Sequence, residues 1–158
     1  MDMLVNLYQL PEYQKPDSVT ITRVLPPDRI PLLQMVRGSF GDAWTGECET
    51  ALASQPPACF VAQKEGHIIG FACYDATAKG YFGPIGLVQE ERGHGMGKSL
   101  LLATLYAMRE AGYGYAVIGW CDEHAEFYAA SCGAVPIPGS RPESTVYSRM
   151  ACFSKDHQ

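Results

Sequence analysis

Hydrophobic and polar positions along this chain switch between a period of two and a helical period. "SVTITRVL" alternates and is rich in β-branched residues, which predicts a strand. "PPDRIPLLQMVRGSF" and "GDAWTGECETALAS" read as two short helices divided at Gly41-Asp42. "ACFVAQKEGHIIGFACYDA" reads as two strands turning at Lys64-Glu65-Gly66-His67. "GYFGPIGLV" is a further strand, and Gly83-Pro84 and Gly86 inside it signal an edge, a bulge or a close backbone approach. The clearest helix is "GKSLLLATLYAMREAGY": Leu101, Leu105 and Met108 share one face, and Gly112 is its stop. "YAVIGW" is a short buried strand. "DEHAEFYAASCG" is a helix with Asp122 as candidate cap and Gly133 as stop, and "STVYSRMA" is expected to end the sheet. The opening "MLVNLYQLPEYQKPD" is apolar and then broken by proline, which fits either a short edge strand or an arm. The order β-αα-βββ-α-β-α-ββ predicts an α/β fold, a mixed sheet with helices between strands. One domain is expected over residues 18–151, between an N-terminal arm or edge strand (1–17) and a C-terminal tail (152–158).

Composition narrows the classes. With 158 residues, 47% hydrophobic and 18% charged, the chain can bury one core. A formal net charge of -5 argues against a general nucleic-acid binder. No apolar run is long enough to span a membrane, and the N-terminus has no basic region of a signal peptide. Six cysteines form no C-x-x-C pair, and most sit in apolar runs, as buried reduced thiols of a cytoplasmic protein do. With only four scattered histidines, no metal site is expected.

Candidate chemistry gathers at "RGHGMGKS", residues 92–99. It ends like a nucleotide P-loop, but only three residues separate Gly93 from Gly97 where that loop has four. The glycines also fall one residue short of a dinucleotide fingerprint. Placed between a strand and a long helix, the stretch is a phosphate cradle of another kind. Backbone N–H groups of Gly93, His94, Gly95, Met96, Gly97, Lys98 and Ser99 converge at a helix N-terminus, with Arg92 and Lys98 adding full charges. His94 counts here for its N–H rather than its ring.

"GLVQEERGHGMGKSLLLATL" resembles the signature of the GNAT acetyltransferases, with Arg92, Gly95 and Gly97 on its pattern and Gln89 where the family usually has proline. The resemblance covers roughly residues 18–151. A narrower likeness, to bacterial members sharing "FACYDATAKG", "FGP-G" and "EFY" segments, indicates no substrate. The family resemblance implies that the loop holds the pyrophosphate of acetyl-coenzyme A, with no metal. It implies a splayed central sheet, in which a backbone N–H of Ile85 or Leu87 meets the acetyl carbonyl. A second segment, "AEFYAASCGA", is similar to the family's Phe-Tyr helix. It implies that Phe127 packs under the sheet and that Tyr128 gives a proton to the departing thiolate. Gly133 is followed by Ala134 instead of phenylalanine, and Cys121 or Asp122 stands where an asparagine is frequent.

The two short helices fall where the family places its acceptor wall. On a helix Trp44 and Glu47 share a face, and Glu49 lies away from it. Trp44 and Glu47 are therefore expected as an aromatic wall and a carboxylate for an amine, Glu47 as the candidate base and Glu49 as a solvated control. Asp75, Tyr81 and Trp120, with Tyr74, are further candidate acceptor walls, and His124 is a candidate at the mouth. The expected partner is a small-molecule or peptide amine, with no nucleic acid and no membrane. A homodimer through a sheet edge is open. A coenzyme A-binding sensor without catalysis would keep residues 92–99 but need no acid; a nucleotide hydrolase lacks the P-loop spacing.

Overall fold

The computed structural model describes residues 1–152. Seven strands form one sheet: β1 (Met3–Asn6), β2 (Thr20–Arg23), β3 (Cys59–Lys64), β4 (His67–Tyr74), β5 (Tyr81–Leu87), β6 (Tyr115–Ile118) and β7 (Val135–Pro136). Four helices connect them: α1 (Arg29–Phe40), α2 (Asp42–Leu52), α3 (Met96–Glu110) and α4 (Ala125–Cys132). The mixed α/β architecture and the helix positions follow the expected order. The β3–β4 turn is a two-residue loop with Glu65 and Gly66 both at positive φ and Lys64 opposite His67, as a tight hairpin requires.

Two faces of the sheet are covered. The Phe40 ring lies on Gly86, where an added Cβ would come within 2.8 Å of it. The neighbouring Leu87 instead reaches toward Gly97 at the start of α3. Successive strand residues point to opposite faces, so α1 and α2 cover one face and α3 the other. Leu100, Leu101, Leu105 and Met108 of α3 are fully buried, as the helical spacing predicts.

Strand order across the sheet is β2-β3-β4-β5-β6-β1-β7. This corrects both ends of the sequence reading. Residues 1–17 supply neither an edge strand nor a loose arm: β1 lies inside the sheet, antiparallel to β6 on one side and β7 on the other. "STVYSRMA" does not end the sheet. It folds as the short 3-10 turns Pro142–Ser144 and Val146–Arg149, because β1 already fills the slot beside β6 and the edge strand is β7. Asp122 is no side-chain cap for the turn leading into α4; its carboxylate pairs with the Met1 amino group. Of the expected tail (152–158), residues 153–158 lie outside the described residues.

The feature that positions a site is the junction of β5 and β6. They run parallel and pair only at Tyr81–Val117 and Phe82–Ile118. Beyond Phe82, β5 carries an extra residue against β4, with the register shifting between Ala72–Ile85 and Tyr74–Phe82, around Gly83 at φ 117. The sheet therefore splays open between β5 and β6.

Candidate active site

The splay has one well-defined polar edge. Val88 N–H donates to Ile69 O on β4 at 2.9 Å. Strand alternation then turns the N–H groups of Ile85 and Leu87 the other way, into the opening. The Leu87 carbonyl shares that direction and accepts from Arg92 Nε at 3.1 Å. Arg92 is thus anchored at the end of β5 with the rest of its guanidinium exposed.

From there the chain enters the glycine loop. Gly93 and Gly95 have φ of 85° and 79°, and α3 starts at Met96 with Gly95 as an N-cap lacking any side-chain hydrogen bond. Among the described residues, the backbone N–H groups of residues 93–98 donate to no backbone acceptor; the first such bond is Ser99 N–H to Gly95 O at 3.3 Å. An added Cβ at Gly93 or Gly95 would meet no atom within 4 Å, so the space before these donors is open. His94 and Lys98 are exposed, while the Met96 side chain is buried in the core and offers only its N–H. A convergent row of donors, a helix N-terminus and two cations suit a diphosphate anion.

Helix α4 stands across the opening. Tyr128 is buried, with its ring 6.4 Å from Phe82 and 5.2 Å from Phe127. Burial, then the neighbouring Cys121 and Cys132 sulfurs, push its phenol well above the ordinary value of 10.0. Its hydroxyl makes no protein hydrogen bond, yet no buried side-chain oxygen among the described residues lacks a partner, so the oxygen retains solvent contact. Phe127 does not pack under the sheet as expected. It is 38% exposed and stands near Gly97, at the mouth between α3 and α4. Gly133, at φ 69, stops the helix as its sequence position indicates.

On the α2 side of the sheet a polar cluster forms. Glu47 is half-buried and accepts from the Thr77 hydroxyl. Burial raises its carboxyl above the usual glutamate value, against the opposing effect of that hydrogen bond. Tyr147 packs on Gly119 and stacks edge-on against Trp120 at 5.2 Å. Its phenol is pushed up by burial, then by the charges of Glu47 and Asp2. Asp2 accepts from Trp120 N–H at 3.0 Å and from the Tyr81 hydroxyl at 3.1 Å. Tyr81 is pushed up to about 12 by burial, then by Asp2. Trp120 has φ 47, unusual for a bulky residue, and the Asp2 carboxylate braces that turn. Alongside runs a pocket of about 560 Å³ lined by Asp2, Tyr81, Val117, Thr145, Val146 and Arg149, among others.

Glu47, Tyr81 and Trp120 are thereby brought together, and Glu49 stays exposed. Two expected wall residues lie elsewhere. Trp44 stacks on Phe40 at 5.0 Å and packs edge-on against Phe71, half-buried against the core. Asp75 has both oxygens on the Tyr113 hydroxyl and one on Gly80 N–H, closing its own loop. Tyr74 is buried and bonds Arg23, and His124 is exposed at the start of α4. Asp2, Thr77, Tyr147 and Arg149 were not legible as site residues, because they come from segments read as an arm, a loop or a last strand; Phe127 was read on its helix but on the wrong side.

The Gly119 contact makes a sharp expectation. A Cβ there would lie 2.8 Å from Tyr147 Cε2, inside any real contact. Gly119→Ala should therefore displace the Val146–Arg149 turn while sparing the distant glycine loop. Limited proteolysis should show faster cleavage near residue 147, and unchanged cleavage would mean that the ring can slide aside.

The sequence model of the acetyltransferase (GNAT) family matches residues 30–134. The chain belongs to that family. No curated protein matches this GNAT chain. Among solved structures it resembles a GCN5-related N-acetyltransferase from Sphaerobacter thermophilus at 22% identity and TM-score 0.61, covering 74% of this chain and 40% of that one. A GCN5-related glucosamine N-acetyltransferase region of a fungal multi-domain GH3 β-N-acetylglucosaminidase gives 16% identity and TM-score 0.65, covering 83% and 19%. A GCN5-related N-acetyltransferase from Kribbella flavida gives 16% identity and TM-score 0.60, covering 85% and 53%. These three show the GNAT fold. The present chain spans about a fifth to a half of their lengths. No helix among the described residues is long and apolar enough to cross a membrane.

Proposed function

We propose that the protein transfers an acetyl group from acetyl-coenzyme A to a primary amine of a small molecule or peptide, by direct attack in a ternary complex. The observation that carries this reading is the unbroken row of unpaired N–H groups at residues 93–98, opening beside the β5–β6 splay that Tyr128 faces. Family membership supplies the reaction class. The described cysteines are all free, which suits a reducing, cytoplasmic setting.

In this reading residues 92–99 hold the diphosphate, with Arg92 and Lys98 as cations. The bound cosubstrate supplies an acetyl group activated as a thioester. Ile85 or Leu87 N–H stabilises negative charge developing on the acetyl oxygen, the effect for which preorganised backbone donors are suited. Tyr128 donates a hydrogen bond to the departing sulfur. A thiol of pKa near 8.5, by analogy with cysteine, leaves without full prior protonation, so a phenol above its ordinary pKa suffices.

The larger proton problem is the acceptor. An aliphatic amine of pKa about 10.4 is neutral in roughly one molecule in a few thousand at pH 7, a cost of about 4–5 kcal/mol. Glu47 answers part of it. Its desolvated carboxylate is a better proton acceptor than an exposed one and attracts the ammonium form. Glu47→Gln should raise the acceptor KM about tenfold, in the range of one lost charge-assisted hydrogen bond, with coenzyme affinity unchanged. Glu49→Gln should change neither. Steady-state kinetics on the two variants decide it: equal effects, or none from Glu47, would place the acceptor elsewhere. The stability sign is separate. Glu47's raised carboxyl favours the fold fully below the ordinary glutamate pKa, and that contribution is lost as pH rises through the folded value. Glu47→Gln should therefore not lower the melting temperature at neutral pH, because Gln keeps an acceptor for Thr77.

A further inference from the structure

Cys48, Cys59 and Cys73 come from α2, β3 and β4 and are fully buried. Cys59 and Cys73 face each other across the β3–β4 ladder, and Cys48 descends on them from α2. Their three sulfurs lie within 4.8 Å of one another. The acetyl-transfer reading uses none of them. Sequence spacing hides the group, since the three are 11 and 14 residues apart with no paired motif.

Hydrogen bonds from Cys59 and then Cys73, with a smaller effect of Arg29, hold the Cys48 thiol well below its ordinary range against the cost of burial. Its hydrogen bond to Cys48 holds the Cys59 thiol up, and burial does the same for Cys73.

Ligand chemistry selects the occupant. Three sulfurs with no oxygen or nitrogen donor suit soft ions. Structural zinc takes four ligands, and no fourth Cys, His, Asp or Glu joins this group among the described residues. Charge then decides. Three thiolates leave a net negative charge around copper(I) or zinc(II), which is costly in an apolar core. Around a trivalent centre the charges cancel. Trivalent arsenic is also pyramidal, sitting to one side of its three sulfurs with a lone pair in place of a fourth ligand.

We propose that Cys48, Cys59 and Cys73 form a three-thiol site for trivalent arsenic, taken up as arsenite. Counted from three thiols, three S–As bonds form and three As–O bonds break. Each hydroxide leaves with a thiol proton as water, and no electrons are exchanged. The product is uncharged and staples α2 to the β3–β4 hairpin at the residue that follows Glu47 on that helix.

The test is arsenite added to the reduced full chain, read by native mass spectrometry and by mapping which cysteines resist alkylation. The expected adduct is one arsenic less three hydrogens, with Cys48, Cys59 and Cys73 protected and Cys121, Cys132 and Cys152 still reactive on unfolding. Cys48→Ala, Cys59→Ala and Cys73→Ala should each lose the three-thiol adduct, while Cys152→Ala keeps it. The map on the unmodified chain stands even where a variant fails to fold. No adduct, protection of Cys121 and Cys132 instead, an adduct surviving Cys48→Ala, or zinc(II) or copper(I) bound while arsenite is refused would each overturn the site.

Discussion

Gly95→Val is expected to abolish acetyl-coenzyme A binding in calorimetry while the circular dichroism spectrum stays that of the folded protein. Two effects combine. Gly95 has φ 79 and ψ 0, the left-handed region, where a residue with a Cβ costs about 1–2 kcal/mol. That is a fraction of the roughly 5–15 kcal/mol that holds a typical domain together. The second effect is local. No protein atom lies within 4 Å of the new Cβ, so the side chain projects into the space that residues 93–98 leave before their N–H groups. Escape to negative φ would swing those donors away from one another. Gly66→Val is the matched control. Gly66 has the same φ of 79 and equally open surroundings, but in the β3–β4 hairpin. It should lose similar stability and keep coenzyme affinity. Equal affinity in Gly95→Val and the unmodified chain would show that the loop is a turn and not an anion cradle.

Tyr128→Phe is expected to lower kcat by about a hundredfold, at the modest end of general-acid effects, with coenzyme affinity nearly unchanged. The effect is modest because the leaving thiolate is fairly stable and because burial makes this phenol a weak acid. Removing only an oxygen spares the ring contacts with Phe82 and Phe127. The pH dependence has a definite sign. With its pKa raised above 10.0, the phenol stays protonated across the range in which the acceptor amine loses its proton. Turnover should therefore rise with pH up to the acceptor's own pKa, with no alkaline fall from Tyr128 below 10. Single-turnover rates isolate the chemical step. An unchanged rate in Tyr128→Phe would make this tyrosine a core aromatic.

These residues were legible for particular reasons. Gly93, Gly95 and Gly97 stand out because left-handed backbone and close ligand approach leave a compositional mark. Helix α3 is legible because Leu101, Leu105 and Met108 recur at helical spacing. The bulge in β5 is legible because Gly83 and Pro84 are poor ladder residues. What stayed hidden depends on pairing far along the chain. β1 is four residues long and carries no signal of its partners, β6 and β7, more than a hundred residues away. "STVYSRMA" has strand composition, yet β1 holds the place it would need. The buried carboxylate of Asp2 follows from that exchange, since β1 carries it to Trp120 and Tyr81. Asp75 was hidden for a simpler reason. A carboxylate looks alike in sequence whether it lines a cleft or, as here, closes its own loop on Gly80 and Tyr113.

The most direct measurement is the release of free coenzyme A thiol from acetyl-coenzyme A across a panel of primary amines. The account predicts release that depends on the amine and falls about a hundredfold in Tyr128→Phe. Coenzyme binding with no amine-dependent release from any member of the panel would contradict it and leave a binding module without catalysis.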